Sequence, residues 1–373
     1  MPNDEVSSRI EILRFPLIVG VVFIHNYSTS VHMDHGSIGV THASALVEFV
    51  RFFISQGVAR IAVPLFFLMS GYLFFLGGWS REKYISKLKR RIHTLLIPFL
   101  FWNIITLVVF AIGESIPQTK MYFSNNVWPP VLSFSLLNYI NALFGITVQY
   151  PISYQFWFIR DLMTLVILVP VIHFLVARKS ALPFIAALLC LWFLTAWPVL
   201  WPSAEASFFF SLGVYLSQSG KSVAYLDKLG PWISVTFLGL LIIHSAFPES
   251  LLYLHKVVIV FGVPSLWWLT LLAVRAATLK SLLIKLSGAS FFVFAAHEPL
   301  LIIIRKVSYK LLSPTNGAAI LALYFLIPIC LIAFLVVLHH YLLKTIPSFL
   351  GFITGSANRP HKYRVEEPVL VRS

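Results

Sequence analysis

Arg14 and His25 stand eleven residues apart in the first long apolar run of the chain. Eleven steps of about 100° make three turns plus roughly 20°, so a helix here presents both on one face. Along the axis they are separated by about 16 Å, roughly half the hydrocarbon thickness of a bilayer. A permanent cation and a titratable imidazole on one stripe of a membrane helix are costly, and such residues mark function by default. Arg14 reads as a receptor for an anion that arrives at one membrane face. His25 lies too deep to snorkel and reads as a neutral imidazole able to take a proton near pH 7. The plainer alternatives are an ion pair of Arg14 with Glu11 and a histidine hydrogen-bonded inside the bundle.

Other apolar runs carry further polar groups. VARIAVPLFFLMSGYLFF places Arg60 near one end and Ser70-Gly71-Tyr72 about ten residues deeper. The small pair Ser70-Gly71 also permits close helix packing. YQFWFIRDLM brings Arg160 and Asp161 into a third region. As helix neighbours they point about 100° apart, so each is expected to find partners elsewhere. FFVFAAHEPLL buries His297 and Glu298 just before Pro299. The long connection Glu114–Gln155 offers Asn125, Asn126, Trp128, Tyr150 and Tyr154, suited to sugar faces or to an interfacial aromatic belt. His32, Asp34, His35 and His42 lack helical ligand spacing and any nearby cysteine, so no metal site is assigned. Cys190 and Cys330 lie in apolar runs and read as small core residues.

The elements that must hold these groups are membrane helices. Of 373 residues, 58% are hydrophobic and 11% charged, against about 25% charged in soluble proteins. Ten spans are expected: Ile10–Ser30, Val58–Gly77, Ile92–Gly113, Phe156–Ala177, Ala181–Leu200, Ala206–Gln218, Gly230–Phe247, Val257–Val274, Ala289–Ile304 and Gly317–Leu343. Val131–Val148 competes with Ala206–Gln218 for one of these places. The net charge of +14 sets orientation and is not read as a nucleic-acid surface. The linkers near 81–91, 178–179, 221–228 and 275–285 together with the residues after Leu343 hold 18 Lys/Arg, against six on the other side. That bias puts both termini in the cytoplasm. Asp4 and Glu5 stand where a signal peptide would be basic, so the first span is expected to remain. The expected organisation is an all-α transmembrane domain over 1–345 and a cytoplasmic tail over 346–373.

These segments resemble a known family. Arg14 and His25 with ten residues between them, VPLFFLMSGYLFF, KRRIHTLLIPFLFW, WFIRDLM and FAAHEPLL are similar to the membrane acyltransferase-3 family over about residues 9–345. The resemblance implies a multi-pass enzyme of the bacterial inner membrane. Such an enzyme moves acetyl, or another short acyl group, from cytoplasmic acyl-CoA to a hydroxyl of a surface glycan or lipid-linked sugar. Acyl-CoA is then a co-substrate, and no tightly bound cofactor is implied. The family's essential pair maps onto Arg14 and His25. Arg14, Arg90 and Arg91 become the phosphate contacts, with the thioester near His25 acting as base. Substrate or oxyanion contacts are sought among Arg60, Ser70, Tyr72, Arg160, Asp161, His297 and Glu298. Two rival readings share the same charges. One is a transporter or flippase of a lipid-linked glycan, the other a non-catalytic subunit of a polysaccharide synthesis complex.

Overall fold

The computed structural model describes residues 2–33, 36–40, 43–123, 128–177, 180–194, 201–219, 224–248 and 253–356. Asp34, His35, His42, Asn125, Asn126, Arg178, Lys179 and the segment 357–373 lie outside the described residues. The chain is helical almost throughout. It begins with α1 (Pro2–His25), α2 (Ala45–Arg51), α3 (Ala62–Phe75), α4 (Arg81–Arg91), α5 (Ile97–Ser115) and α6 (Lys120–Phe123). Then follow α7 (Leu136–Phe144), α8 (Trp157–Ile167), α9 (Val169–Val176), α10 (Ala181–Leu194), α11 (Ala204–Gln218) and α12 (Ala224–Ala246). The last are α13 (Leu254–Arg275), α14 (Ala277–Ser287), α15 (Ser290–Leu312), α16 (Gly317–Thr345) and α17 (Pro347–Thr354). A small antiparallel ribbon, β1 (Ser30–Met33) with β2 (Gly36–Gly39), pairs Val31 with Ile38.

Five described stretches are long and apolar enough to cross a membrane as single helices: Ala45–Phe75, Arg81–Ser115, Asp227–Ala246, Leu254–Arg275 and Gly317–Thr345. Two bent pairs bring the number to seven. Tyr154–Ile167 and Val169–Val176 meet at 64°, and Ala277–Ser287 and Ser290–Leu312 at 60°. The expected first, fifth and sixth spans are helices too, but of a different kind. α1 carries Glu5, Arg9, Glu11 and Arg14, and α10 and α11 have only 14 and 15 residues.

One expected boundary is corrected, and the alternative span at 131–148 is not a single helix. The first helix was expected to reach Ser30, but it stops at His25. Asn26 donates its side-chain amide to the Tyr324 carbonyl at 3.1 Å, and Ser28 bonds locally with Ser30. Short polar side chains of this kind divert the backbone from a helical ladder. The run Val131–Val148 is not one helix. It forms a single 3₁₀ turn and the nine-residue α7, about 14 Å long, which Gly145 ends at a φ of 63°. That length is under half of a bilayer core.

Ala206–Gln218 does lie in a continuous helix, and its place is fixed by glycine. A Cβ at Gly71 of α3 would stand 2.1 Å from the Phe210 carbonyl oxygen; one at Gly213 of α11 would stand 2.1 Å from that of Leu68. The two helices run parallel, both meeting His173 near their C-terminal ends through Phe75 and Gln218, and their backbones are in contact. α1 sits at the centre, against α3, α13, α14 and α15. Its Arg9 is 2% exposed and fully occupied. The guanidinium bonds both Asp227 oxygens at 2.7 and 2.8 Å, the Thr270 hydroxyl at 2.7 Å and the Trp267 carbonyl at 2.8 Å. Within the expected tail, α17 buries Leu350 and Ile353 and accepts the Trp102 indole N–H at the Ile353 carbonyl, 2.9 Å away.

Candidate active site: one cavity from Arg14 to His25

Between α1 and the bent helices α8 and α15 lies a cavity of about 470 Å³, within the range of ligand pockets. Arg14, His25 and Ser70 line it, and so do Arg91, Gln155 and Ser290. The helical face predicted to carry Arg14 and His25 is thus the face that α1 turns to this space. Arg91 joins from the end of α4, where the basic run enters the bundle. The alternative pairing of Arg14 with Glu11 is not what the helix uses. Glu11 takes its hydrogen bond from Ser287 Oγ, at 3.5 Å.

His25 closes the deep end. Its ring stacks on that of His297 at 5.3 Å and meets the Tyr154 ring edge-on at 4.7 Å. Its carbonyl oxygen accepts from Arg305 Nη1 at 3.0 Å, tying the end of α1 to α15. His297 donates through Nδ1 to the Phe294 carbonyl at 2.6 Å, which leaves Nε2 buried with a free lone pair. Glu298 sits at the break of α15, with φ −106° and ψ 138°, where Pro299 cannot continue the ladder. One of its oxygens accepts the Tyr154 hydroxyl at 2.9 Å; the other is buried without a partner. Gln155 Oε1 and Ser290 Oγ, both on the cavity wall, are likewise buried and unpartnered. Orphaned polar groups are costly to bury, and their clustering marks a place built for a polar guest.

The remaining expected residues are dispersed. Arg90 is exposed on α4 and does not line the cavity, unlike its neighbour Arg91. Tyr72 faces a different, apolar groove with Met69 and Trp267. Arg60 lines a second chamber on the far side of Val63 and Trp157, two residues common to both walls. Arg160 and Asp161 correct the expectation that neighbours on a helix need separate partners. The arginine side chain is long enough to curl back, and Nη2 meets Asp161 at 3.4 Å. Arg160 Nη1 also clamps the carbonyls of Gly145 at 2.9 Å and Gln149 at 3.2 Å. Asp161 accepts the Ser203 amide at 2.8 Å. Both side chains hold loops in place and neither lines the cavity.

Sequence reasoning missed Gln155, Ser290 and Arg305 as site residues, and treated Tyr154 only as a loop aromatic. Polarity beside a helix break was the available signal for Gln155 and Ser290. Arg305 gave none, since a cation at the end of a membrane helix is ordinary. Among the described residues, no three His, Cys, Asp or Glu side chains gather as metal ligands.

Comparison with known proteins gives this arrangement its family. A succinoglycan biosynthesis protein of Rhizobium meliloti (strain 1021), ExoH, is 27% identical over 376 residues, covering 98% of this chain and 96% of the relative. No solved structure matches the chain. The Acyl_transf_3 family model, an acyltransferase domain, matches residues 7–341 and so takes in Arg14, His25, the rest of both cavity walls except Ser356, and the helices from α1 into α16. The chain therefore belongs to the Acyl_transf_3 family, and is a membrane acyltransferase.

Proposed function

We propose that this protein transfers a short acyl group, acetyl in the first instance, from cytoplasmic acyl-CoA to a hydroxyl of a surface or lipid-linked glycan. The observation that carries the reading is that Arg14, Arg91 and His25 line one elongated cavity. Two cations at one end suit the phosphates of CoA, while the narrow pantetheine arm suits the apolar wall beyond them. The buried acceptors of Gln155 and Ser290 suit its amides. A glycan acceptor is supported by the relative's name, which places it in succinoglycan biosynthesis.

In this reading the thioester lies beside His25. The imidazole takes the proton of the acceptor hydroxyl as its oxygen attacks the thioester carbonyl. The C–S bond breaks, and the proton passes from the imidazole to the departing thiolate. Ser70 is the group on the wall best suited to donate to the developing oxyanion. Ten spans with both termini cytoplasmic, a membrane domain over 1–345 and a basic tail over 346–373 complete the arrangement, with Arg14 and Arg91 at the inner face. This is the orientation that the positive-inside bias demands.

Acyl transfer from labelled acetyl-CoA or succinyl-CoA to deacylated surface glycan, in membranes holding the full chain, tests the reading. His25→Ala is expected to lower turnover by about 10²-fold or more, the usual contribution of a general base. Arg14→Ala is expected to raise the KM for acyl-CoA. Both variants folding and retaining native turnover would sink the mechanism. Label trapped on the protein, with ping-pong kinetics, would replace direct transfer with a covalent relay.

A further inference from the structure

Beyond the wall formed by Val63 and Trp157 lies the second chamber, about 440 Å³ in volume. It occupies the end of the bundle where α1 stops, α12 ends and α11 and α13 begin, away from Arg14 and Arg91. Ile24, next to His25 in sequence, lines it, so the two spaces meet at the tip of α1. Its polar wall comes from the helical stretch 52–61 and from three later helices. Gln56 belongs to a π-helix (Phe52–Val58), a distortion most often met at functional sites. Arg60 follows it and donates through Nε to Gln56 Oε1 at 2.8 Å. Glu205 comes from the first turn of α11, His244 from α12 and His255 from α13.

The wall carries one cation, Arg60, and one carboxylate, Glu205, which also lies within reach of Lys256 and the Trp192 indole N–H. Arg60 and Glu205 attract one another across the space without closing into an ion pair. His244 is 4% exposed, and its Nδ1 is buried without a partner. Its ring edge rests on Phe52 at 4.9 Å, and Phe52 and Trp157 add flat apolar faces to the wall. A guest that satisfies such a wall must both donate and accept hydrogen bonds at several points around an apolar ring face. A carboxylate or phosphate guest would pair with Arg60 but would face Glu205. A hydrocarbon guest would leave His244 Nδ1 without a partner and the charges of Arg60 and Glu205 facing an apolar surface.

Building on the acyl-transfer reading, we propose that this chamber is the acceptor subsite and takes an uncharged sugar ring. Glu205 accepts from its hydroxyls, Arg60 and Gln56 donate to them, and Trp157 packs on its face. The hydroxyl to be acylated then points past Trp157 toward His25.

The test uses the purified full chain in nanodiscs, with deacylated surface glycan as acceptor and labelled acetyl-CoA as donor. Glu205→Gln and Gln56→Leu are expected to raise the acceptor KM by about tenfold or more, as loss of hydrogen bonds to a charged or buried group does. The KM for acetyl-CoA and the binding of CoA should stay within twofold, which also shows that the variants are folded. Glu205→Asp should recover part of the acceptor affinity. Methyl glucoside should compete with the glycan, and methyl glucuronoside at equal concentration should not. Unchanged acceptor KM, an equal loss toward donor and acceptor, or competition by neither sugar or by both alike overturns the assignment. If the native chain acylates no glycan under any of these conditions, the acyl-transfer reading fails and not merely the subsite.

Discussion

At the scale of single residues, the site turns on how His25 is held. It ends α1, so no further helical turn supports its ring; Tyr154 and His297 do this from elsewhere in the chain, while Arg305 holds its carbonyl oxygen. Tyr154 is the informative one to change, because Tyr154→Phe keeps the ring edge against His25 and removes only the hydroxyl. Glu298 then loses the donor at one oxygen while the other already lacks one. A buried carboxylate left so costs about 1–3 kcal/mol, which it can recover only by shifting α15. Turnover should fall about tenfold with the KM for acyl-CoA unchanged. A kcat equal to that of the native chain would mean that His25 is not positioned through this pair. The contrast with what was readable in advance is instructive. Arg14 and His25 share one helix, so 3.6-residue periodicity revealed their common face. Tyr154 reaches the imidazole from 129 residues away and Arg305 the carbonyl of the same residue from 280, and no local pattern encodes that meeting. Arg160 and Asp161 were misjudged because backbone directions say little about where a long, flexible guanidinium ends.

At the scale of elements, the α3–α11 crossing is the contact with least tolerance. Phe67, Phe209 and Phe210 are each at most 2% exposed, and the two helix backbones touch at Gly71 and Gly213. With lipid as apolar as any side chain, packing and not the hydrophobic effect holds such pairs together. Gly213→Ala adds a methyl group that meets a carbonyl oxygen, not a flexible side chain, so α11 must move bodily. The expected loss is at least about 1–3 kcal/mol, seen as a lower melting temperature and a smaller monodisperse peak in detergent. Gly239→Ala on α12 is the matched control. A Cβ there meets nothing within 4 Å, and alanine is the better helix former by about 0.5–1 kcal/mol. Equal behaviour of the two variants would show that the crossing is looser than its geometry. The Ser70-Gly71 pair thus serves both readings given to it, with Gly71 in the crossing and Ser70 on the cavity wall. The helices themselves were largely legible from apolar runs. Their ends were less so: α1 stops where Asn26 turns its side chain to the Tyr324 carbonyl, 298 residues away.

At the scale of the whole molecule, one polar space runs along α1 from Arg14 to His25, a second meets it at the tip of that helix, and Val63 and Trp157 form the partition. Such a division lets a donor and an acceptor approach from different faces of a membrane while the chain conducts neither across it. The arrangement has a direction only if Arg14 and Arg91 face the cytoplasm, and thiol labelling can read that directly. Cys190 and Cys330 are both free and exposed, so each must first be replaced by alanine. Ser180, before α10, and Ser313, after α15, are exposed and lie at opposite ends of the bundle. A cysteine at position 313 should react with an impermeant maleimide on intact cells. One at position 180 should react only after the membrane is opened. The opposite pattern would place the cation-rich end of the His25 cavity outside, where no acyl-CoA is supplied, and the donor would have to be sought in a different chemical class. Labelling of both positions from outside would instead require an even number of crossings from α10 through α15. α10 or α11, the two shortest helices of the expected set, would then have to lie within one leaflet.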